Sequence, residues 1–414
     1  MEKISRYILV AVALITSAVV LPQLYWMAFD KPIPSPLVNY SCTDDCFMIL
    51  NAQSGKVEFS DSRGNIYEKR EDYEKRLPLL YARQLLVSGT MPDTLRGIAI
   101  DMHDLNRANS NIRYKPEEQF GPQPELFPLF EAESGRANLE MPEDYFRITW
   151  RIEFINAATN KIDEEKSQMF SAALYKKGFQ FPSKHIAGIP TTRKSCDEGY
   201  FIIDSADQLY QLKMMQGVPF VVKIEKPEEL KFQYIKCCDL RDKKYYAYLF
   251  TDKNEIYILT QDVYELVKIP VEGFDQTTCS LRISGDMFNY NYLIQSEDNL
   301  KVVALNYNDY SVVDTYEKSW LKRSERKAGL IAAAIFPVQV RMSDRNSNFT
   351  NFFIDRSAGF LWIIVNLVFV AIHFLLLVRR KARLKKHILD LLVVTITGIY
   401  GFIAVNFFQN KFFD

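Results

Sequence analysis

The stretch FIIDSADQLYQL, residues 201–212, is written again as YLFTDKNEIYIL at residues 248–259 and as YLIQSEDNLKVV at residues 292–303, without gaps and at spacings of 47 and 44 residues. In each copy three apolar or aromatic positions run into a polar turn, S-x-D in two copies and D-x-N in the other. Asp and Asn side chains bond nearby backbone groups and tolerate left-handed conformations, so each turn predicts a β-hairpin. The returning strands carry Leu209, Ile256 and Leu300 at one position and Leu212, Leu259 and Val303 at another. PFVVKI, YELVKI and YSVVDTY follow as third strands. A period near 45 residues with several strands per unit is the size of a propeller blade. A propeller needs four or more blades, so three copies do not close one. VEFSDSRGNIY, residues 57–67, has the same strand–turn–strand form and is a candidate further unit. The alternative is an open stack of meanders.

Upstream of the repeats, KIDEEKSQMFSAALYKKG predicts a helix, with acids in its first turn, Lys176 and Lys177 in its last and Gly178 as a stop. FRITWRIEFINA alternates Phe146, Ile148, Trp150, Ile152 and Phe154, which predicts one half-buried strand. YEKRLPLLYARQLLVSG predicts a helix ending at Gly89. KPIPSPLVNY predicts an extended linker, FMILNAQSGKVEF a hairpin bending at Ser54 and Gly55, and residues 101–145, with GPQPELFP at their centre, a loop.

Both ends of the chain are apolar. Residues 8–29 and 358–378 carry no charge, and residues 388–408 carry one, at Asp390. About 20 apolar residues cross the hydrocarbon core as a helix. The expected fold class is a membrane protein, with three transmembrane α-helices and a β-rich α+β extracytoplasmic domain of propeller-like hairpin repeats. Its expected parts are a span at 7–29, an extracytoplasmic α+β region at 30–190, a repeated β-sheet region at 191–335, a connector at 336–357, a span at 358–378, a basic loop at 379–387 and a span at 388–408. Pro22 shortens the first apolar run, as in a cleaved signal peptide. The lack of a small-x-small cleavage site and the interfacial pair Tyr25 and Trp26 favour a retained anchor. The basic loop holds Arg379, Arg380, Lys381, Arg383, Lys385 and Lys386. Short loops rich in such residues stay in the cytoplasm, so residues 30–357 and the C-terminus are expected outside and the N-terminus inside. WLKRSERKAGLIAAAIFPVQV, from Trp320, is too short to span and is expected to dock on the β domain or lie on the membrane.

The formal net charge of zero conceals +5 on residues 379–414, +1 on residues 1–29 and −6 between them. A mildly acidic outer domain gives no reason to expect nucleic acid as a partner. All six cysteines lie in the outer segment, where disulfides form, and Cys42 and Cys46 in SCTDDC are close enough to bridge. The remaining pairing is open. Serine-hydrolase, zinc-protease and nucleotide-loop signatures are absent from the sequence. DMHDL, residues 101–105, is a weak hint of metal that reads better as a solvated loop. No catalytic residue, cofactor or metal is therefore assigned, and the chain is not expected to be an enzyme. Polar residues inside the spans are the sharper candidates: Asn366, His373 and Asp390, serving either helix packing or a transport pathway.

RLPLLYARQLL, EKSQMFSAALYKKGFQFPSKHIAGIPTTRKSCDEGYF and DSADQLYQLKMMQGVPFV together resemble an uncharacterised family of bacterial inner-membrane proteins with a large periplasmic domain. The resemblance implies one N-terminal helix, a large outer domain and C-terminal helices, and an association with ABC transporter components. It brings no catalytic residues. The expected function is a non-enzymatic accessory or permease-like subunit of an inner-membrane transport complex. Its partners would be the bilayer and a membrane protein, such as a transporter ATPase or permease. A membrane-anchored periplasmic sensor and a membrane-tethered hydrolase are the alternatives.

Overall fold

The computed structural model describes residues 2–409 apart from residues 31–34, 54–55, 122–123, 134, 136–137, 195, 262, 343–351 and 358. Part of the linker, the turn at Ser54 and Gly55, part of GPQPELFP and part of the connector therefore lie outside the described residues. Two compact units emerge, one of residues 34–319 and one of residues 1–33 with 320–414.

The unit of residues 34–319 is built from small antiparallel sheets. Four strands form a sheet within residues 37–67, three within 144–163, four within 183–224 and four within 232–268. A five-stranded sheet takes four strands from residues 280–319 and adds Ser110–Tyr114 beside Ser280–Gly285. The three repeats are the central hairpins of the last three sheets. In the first two copies the residue just before the predicted turn motif holds the turn. The Asp204 carboxylate accepts from the backbone N–H groups of Ala206 and Gln208, and the Thr251 hydroxyl accepts from those of Lys253 and Glu255. Asp207 and Asn254 then take the left-handed conformation, both at φ 61°. In the third copy Ser296 takes over, and the pairing shifts by one residue: Phe201 faces Gln211 and Tyr248 faces Ile258, but Tyr292 faces Val303. VEFSDSRGNIY supplies the same device, with Asp61 accepting from Arg63, Asn65 and Tyr67.

Each sheet buries its apolar faces against a neighbour, which is how half-apolar meanders become stable. The three-stranded sheet meets 183–224 through Phe146 and Tyr200, whose rings lie 5.0 Å apart. Phe201, Ile203, Ala247 and Leu249 share one core between 183–224 and 232–268. Tyr248, Phe250, Ile283 and Tyr292 share the next. The first sheet joins the last through Asn291, whose side-chain oxygen accepts from the Tyr40 N–H at 2.9 Å.

Three local expectations change. Residues 144–156 form a hairpin rather than one strand, and Trp150 sits exposed in its turn. The helix expected over 73–89 is two short helices, Arg70–Glu74 and Ala82–Val87. The DMHDL segment opens a helix, Met102–Ala108, instead of staying a loop. The predicted helix Glu164–Lys176 is present, capped by Asp163.

The other unit is helical. Among the described residues two helices are long and apolar enough to cross a membrane, Glu2–Phe29 and Leu361–Arg379. The expected third span at 388–408 is not one helix. It is Ile388–Thr397 and Ile399–Phe407, divided at Gly398, where φ is 59° and ψ is −125°. The two halves pack on each other as a hairpin. Its far end, Phe408, returns beside Arg6, which also bonds Asp390 at the near end. Each half rises about 15 Å, half of a hydrocarbon core. Phe408 therefore lies at the same end of the hairpin as Asp390 instead of at the far end of one long helix. The segment from Trp320 also differs from one reading of its sequence. Its helix, Lys327–Ile335, buries Ala332, with Phe336 just beyond, among Leu14, Ala18, Leu21 and Tyr400 of its own unit.

Candidate functional site

The hairpin exists because its broken backbone is satisfied. Dividing a helix leaves carbonyls without partners, at a cost of several kcal/mol each in an apolar medium. The Asn366 side-chain nitrogen donates to the Thr395 carbonyl at 3.2 Å. Asn366 is 2% exposed and packs against Gly398 so closely that a Cβ there would fall 2.0 Å from its oxygen. Tyr400, one turn on, donates its hydroxyl to the Val338 carbonyl at 2.6 Å.

At the open end of the hairpin lies a cluster of buried polar groups. One guanidinium nitrogen of Arg6 bonds both carboxylate oxygens of Asp390, at 2.9 and 3.0 Å. The Arg6 Nε donates to the Phe408 carbonyl at 2.9 Å, so a single side chain ties the first long helix to both ends of the hairpin. His387 Nδ1 lies 3.2 Å from the second Asp390 oxygen. His373, on the second long helix, pairs its Nδ1 with the Asn406 amide nitrogen at 3.1 Å. Arg6, His373, His387 and Asp390 are each less than 7% exposed. Among the described residues around the hairpin, Arg6 Nη1, His373 Nε2, Asn406 Oδ1 and Asn366 Oδ1 are buried polar atoms without a hydrogen-bond partner.

Of the three intramembrane candidates, His373 and Asp390 thus belong to the open end of the hairpin, while Asn366 is at its tip. Arg6, His387 and Asn406 complete the cluster, and the sequence reading did not single them out for it. The signal for Arg6 was its position, the last charge in a helix that then runs uncharged to Phe29. The six basic residues at 379–386 all stand exposed in the turn between Leu361–Arg379 and Ile388–Thr397.

Cys42 and Cys46 flank a tight turn as free thiols. They point into different cores, Cys42 toward Leu79 and Leu105 and Cys46 toward Tyr73 and Leu77. Burial pushes the Cys42 thiol up to about 11 and raises that of Cys46. Asp101, His103 and Asp104 bring ligand atoms within 4.8 Å of one another, all exposed. Asp101 is the helix cap there, accepting from the His103 N–H, which accounts for the grouping.

The family model described as "Domain of unknown function (DUF4857)" matches residues 37–305. No curated protein matches the chain. Among solved structures, the chain is similar to the Myceliophteria thermophila Cps50 (Swd1) β-propeller domain, at 10% identity over 69% of this chain and 72% of that one, with a TM-score of 0.26. That likeness is too slight to say how the sheets are arranged.

Proposed function

We propose that this chain, which belongs to the DUF4857 family, is a membrane-anchored, non-enzymatic subunit of an inner-membrane transport assembly. The observation that carries the reading is the Arg6–Asp390 pair. It is buried at the junction of helices whose other faces are apolar and open. Ile8, Val12 and Ile15 are 55–67% exposed on one helix, and Ile364, Leu367 and Val368 are 50–56% exposed on the other. Soluble surfaces rarely leave such stripes uncovered, and lipid is the medium that covers them. The first helix is a retained anchor in this reading, because its removal would strip Asp390 of its counter-charge. The basic loop then sets the β unit outside the cytoplasm.

A half-depth hairpin with polar groups at membrane depth is tolerated where protein surrounds it. Its unpartnered donors and acceptors suit contact with a further membrane subunit, and broken helices of this kind recur where transporters hold their cargo. The test is a mild-detergent pull-down of the full-length chain from native membranes. A stoichiometric ATPase and membrane partner support the reading. A chain that emerges alone, or only with itself, overturns it.

A further inference from the structure

One edge of the five-stranded sheet carries a charge pattern that the membrane reading does not use. Ser110–Tyr114 is the edge strand, and its register sets Arg113 directly opposite Arg282. Residues facing each other across an antiparallel pair point to the same side of the sheet, with Cβ atoms about 4.5–5.5 Å apart, and like charges placed so are destabilising. Arg282 is half-buried, and its burial and the Arg113 charge both lower its pKa. Among the described residues neither guanidinium has a hydrogen-bond or ion-pair partner. A partly desolvated cation held against a second cation is costly, and a native structure that keeps one calls for a reason.

Arg113 also lines an open groove of about 810 Å³, with residues 106–118 along one wall and residues 236–241 along the other. Small-molecule sites run from about 300 to 1,000 Å³. Glu118 bonds Lys236 across the groove, so that acid and that base satisfy each other and tie the walls together. Asp239, the other acid on the described lining, makes no ion pair with Arg113, Arg241 or Arg282. Arg241 stands exposed on the far wall. Asn111, two residues before Arg113 and so on the same face of its strand, adds an exposed amide.

We propose that this groove binds a phosphate monoester, with the phosphate oxygens held by Arg113 and Arg282 and the rest of the molecule lying along the groove toward Arg241. The planar guanidinium fork matches phosphate geometry and is weakly hydrated, which suits a half-buried site. Two cations without a counter-charge are offset by one group carrying about two negative charges near neutral pH, as a phosphate monoester does. A cationic or neutral ligand would leave the repulsion standing. The same chemistry occurs in a soluble phosphate ester and in a phosphatidate headgroup. The inference stands apart from the membrane reading, and neither depends on the other.

The test uses full-length protein in a maltoside detergent, so that no phosphate headgroup competes. Inorganic phosphate and glycerol 3-phosphate are titrated to about 10 mM, the weak end of specific recognition, at constant ionic strength, by calorimetry and thermal melts. Phosphatidic acid in mixed micelles forms the lipid arm, with phosphatidylcholine as its blank. Spermidine and glucose are the comparators. Saturable binding of at least one phosphate is expected, with a raised melting midpoint; whether glycerol 3-phosphate or phosphatidic acid binds more tightly names the source. Arg113→Gln and Arg282→Gln should each weaken binding about tenfold or more, the loss of one charge-assisted contact. Arg113 is exposed, so Arg113→Gln carries the decision if Arg282→Gln fails to fold. Without ligand it should melt no lower than the parent, because it removes the repulsion. The proposal is overturned if no phosphate saturates, if a comparator binds in their place, if the folded variants bind as the parent does, or if unliganded Arg113→Gln melts lower than the parent.

Discussion

Arg6 and Asp390 stand 384 residues apart in the chain and share a bond of 2.9 Å in a site almost closed to solvent. The same arginine reaches the carbonyl of Phe408. A straight helix over 388–408 would hold Asp390 and Phe408 roughly 27 Å apart. One side chain touches both only because the helix turns back on itself.

Breaking that pair on one side should cost far more than replacing it whole. Removing one partner of a buried pair leaves an uncompensated charge and costs about 3–5 kcal/mol, whereas an apolar replacement of both is often close to neutral. Arg6→Met and Asp390→Leu alone should each lower the unfolding midpoint in detergent sharply, and the double variant should recover most of the loss. Additive losses would show that the two charges act separately.

The hairpin tip makes a second, local prediction. Gly398→Ala places a Cβ 2.0 Å from the Asn366 oxygen and strains a backbone that L-residues rarely adopt. It should cost about 1–3 kcal/mol. Asn366→Ala relieves the clash but frees the Thr395 carbonyl, so the double variant should lose less than the sum of the singles. Thermal melts of the four proteins in one detergent decide it.

His185 predicts how the β unit responds to acid. Burial lowers its pKa from 6.5 to about 4, with its ring 5.1 Å from that of Tyr234 and Nε2 without a partner. The native chain leaves this imidazole neutral where the unfolded chain protonates it, so the unfolded state binds more protons below pH 6.5. Stability should therefore fall as pH drops from about 6.5 to about 4, by at most about 1.4 kcal/mol per pH unit from this group. Chemical denaturation across that window should show a shallower fall for His185→Gln than for the parent. Equal slopes would remove His185 as a cause.

The repeats were legible because their chemistry is local. Asp204, Thr251 and Ser296 each close a turn with bonds to backbone two to four residues on, and spacing alone exposes such devices. Tyr248 and Tyr292, the first residues of two copies, even meet across neighbouring sheets with hydroxyls 3.2 Å apart. Trp150 misled because its place in an alternating run hid a turn at Thr149–Arg151 that no Gly, Pro or Asn marks. Ser110–Tyr114 could not be placed, since its partner strand begins 170 residues later. The hairpin at 388–408 escaped for another reason. Hydropathy counts length and is blind to direction, so a helix that crosses and one that returns have the same apolar run. Nothing in the apolar run around Gly398 marks its backbone conformation, φ 59° and ψ −125°, which is where the helix divides. The cluster around Asp390 drew on four separate segments, and only two of its members carried a signal strong enough to be named in advance.

The most direct test of the account is the side on which the chain ends. Full-length protein is fused after residue 414 to a fluorescent protein that matures only in the cytoplasm, and separately to a phosphatase active only outside it. The returning hairpin puts Phe408 on the side of Arg6 and the basic loop, so fluorescence without phosphatase activity is expected. Phosphatase activity without fluorescence would mean that residues 388–408 cross the membrane, and would contradict the hairpin and the site built on it.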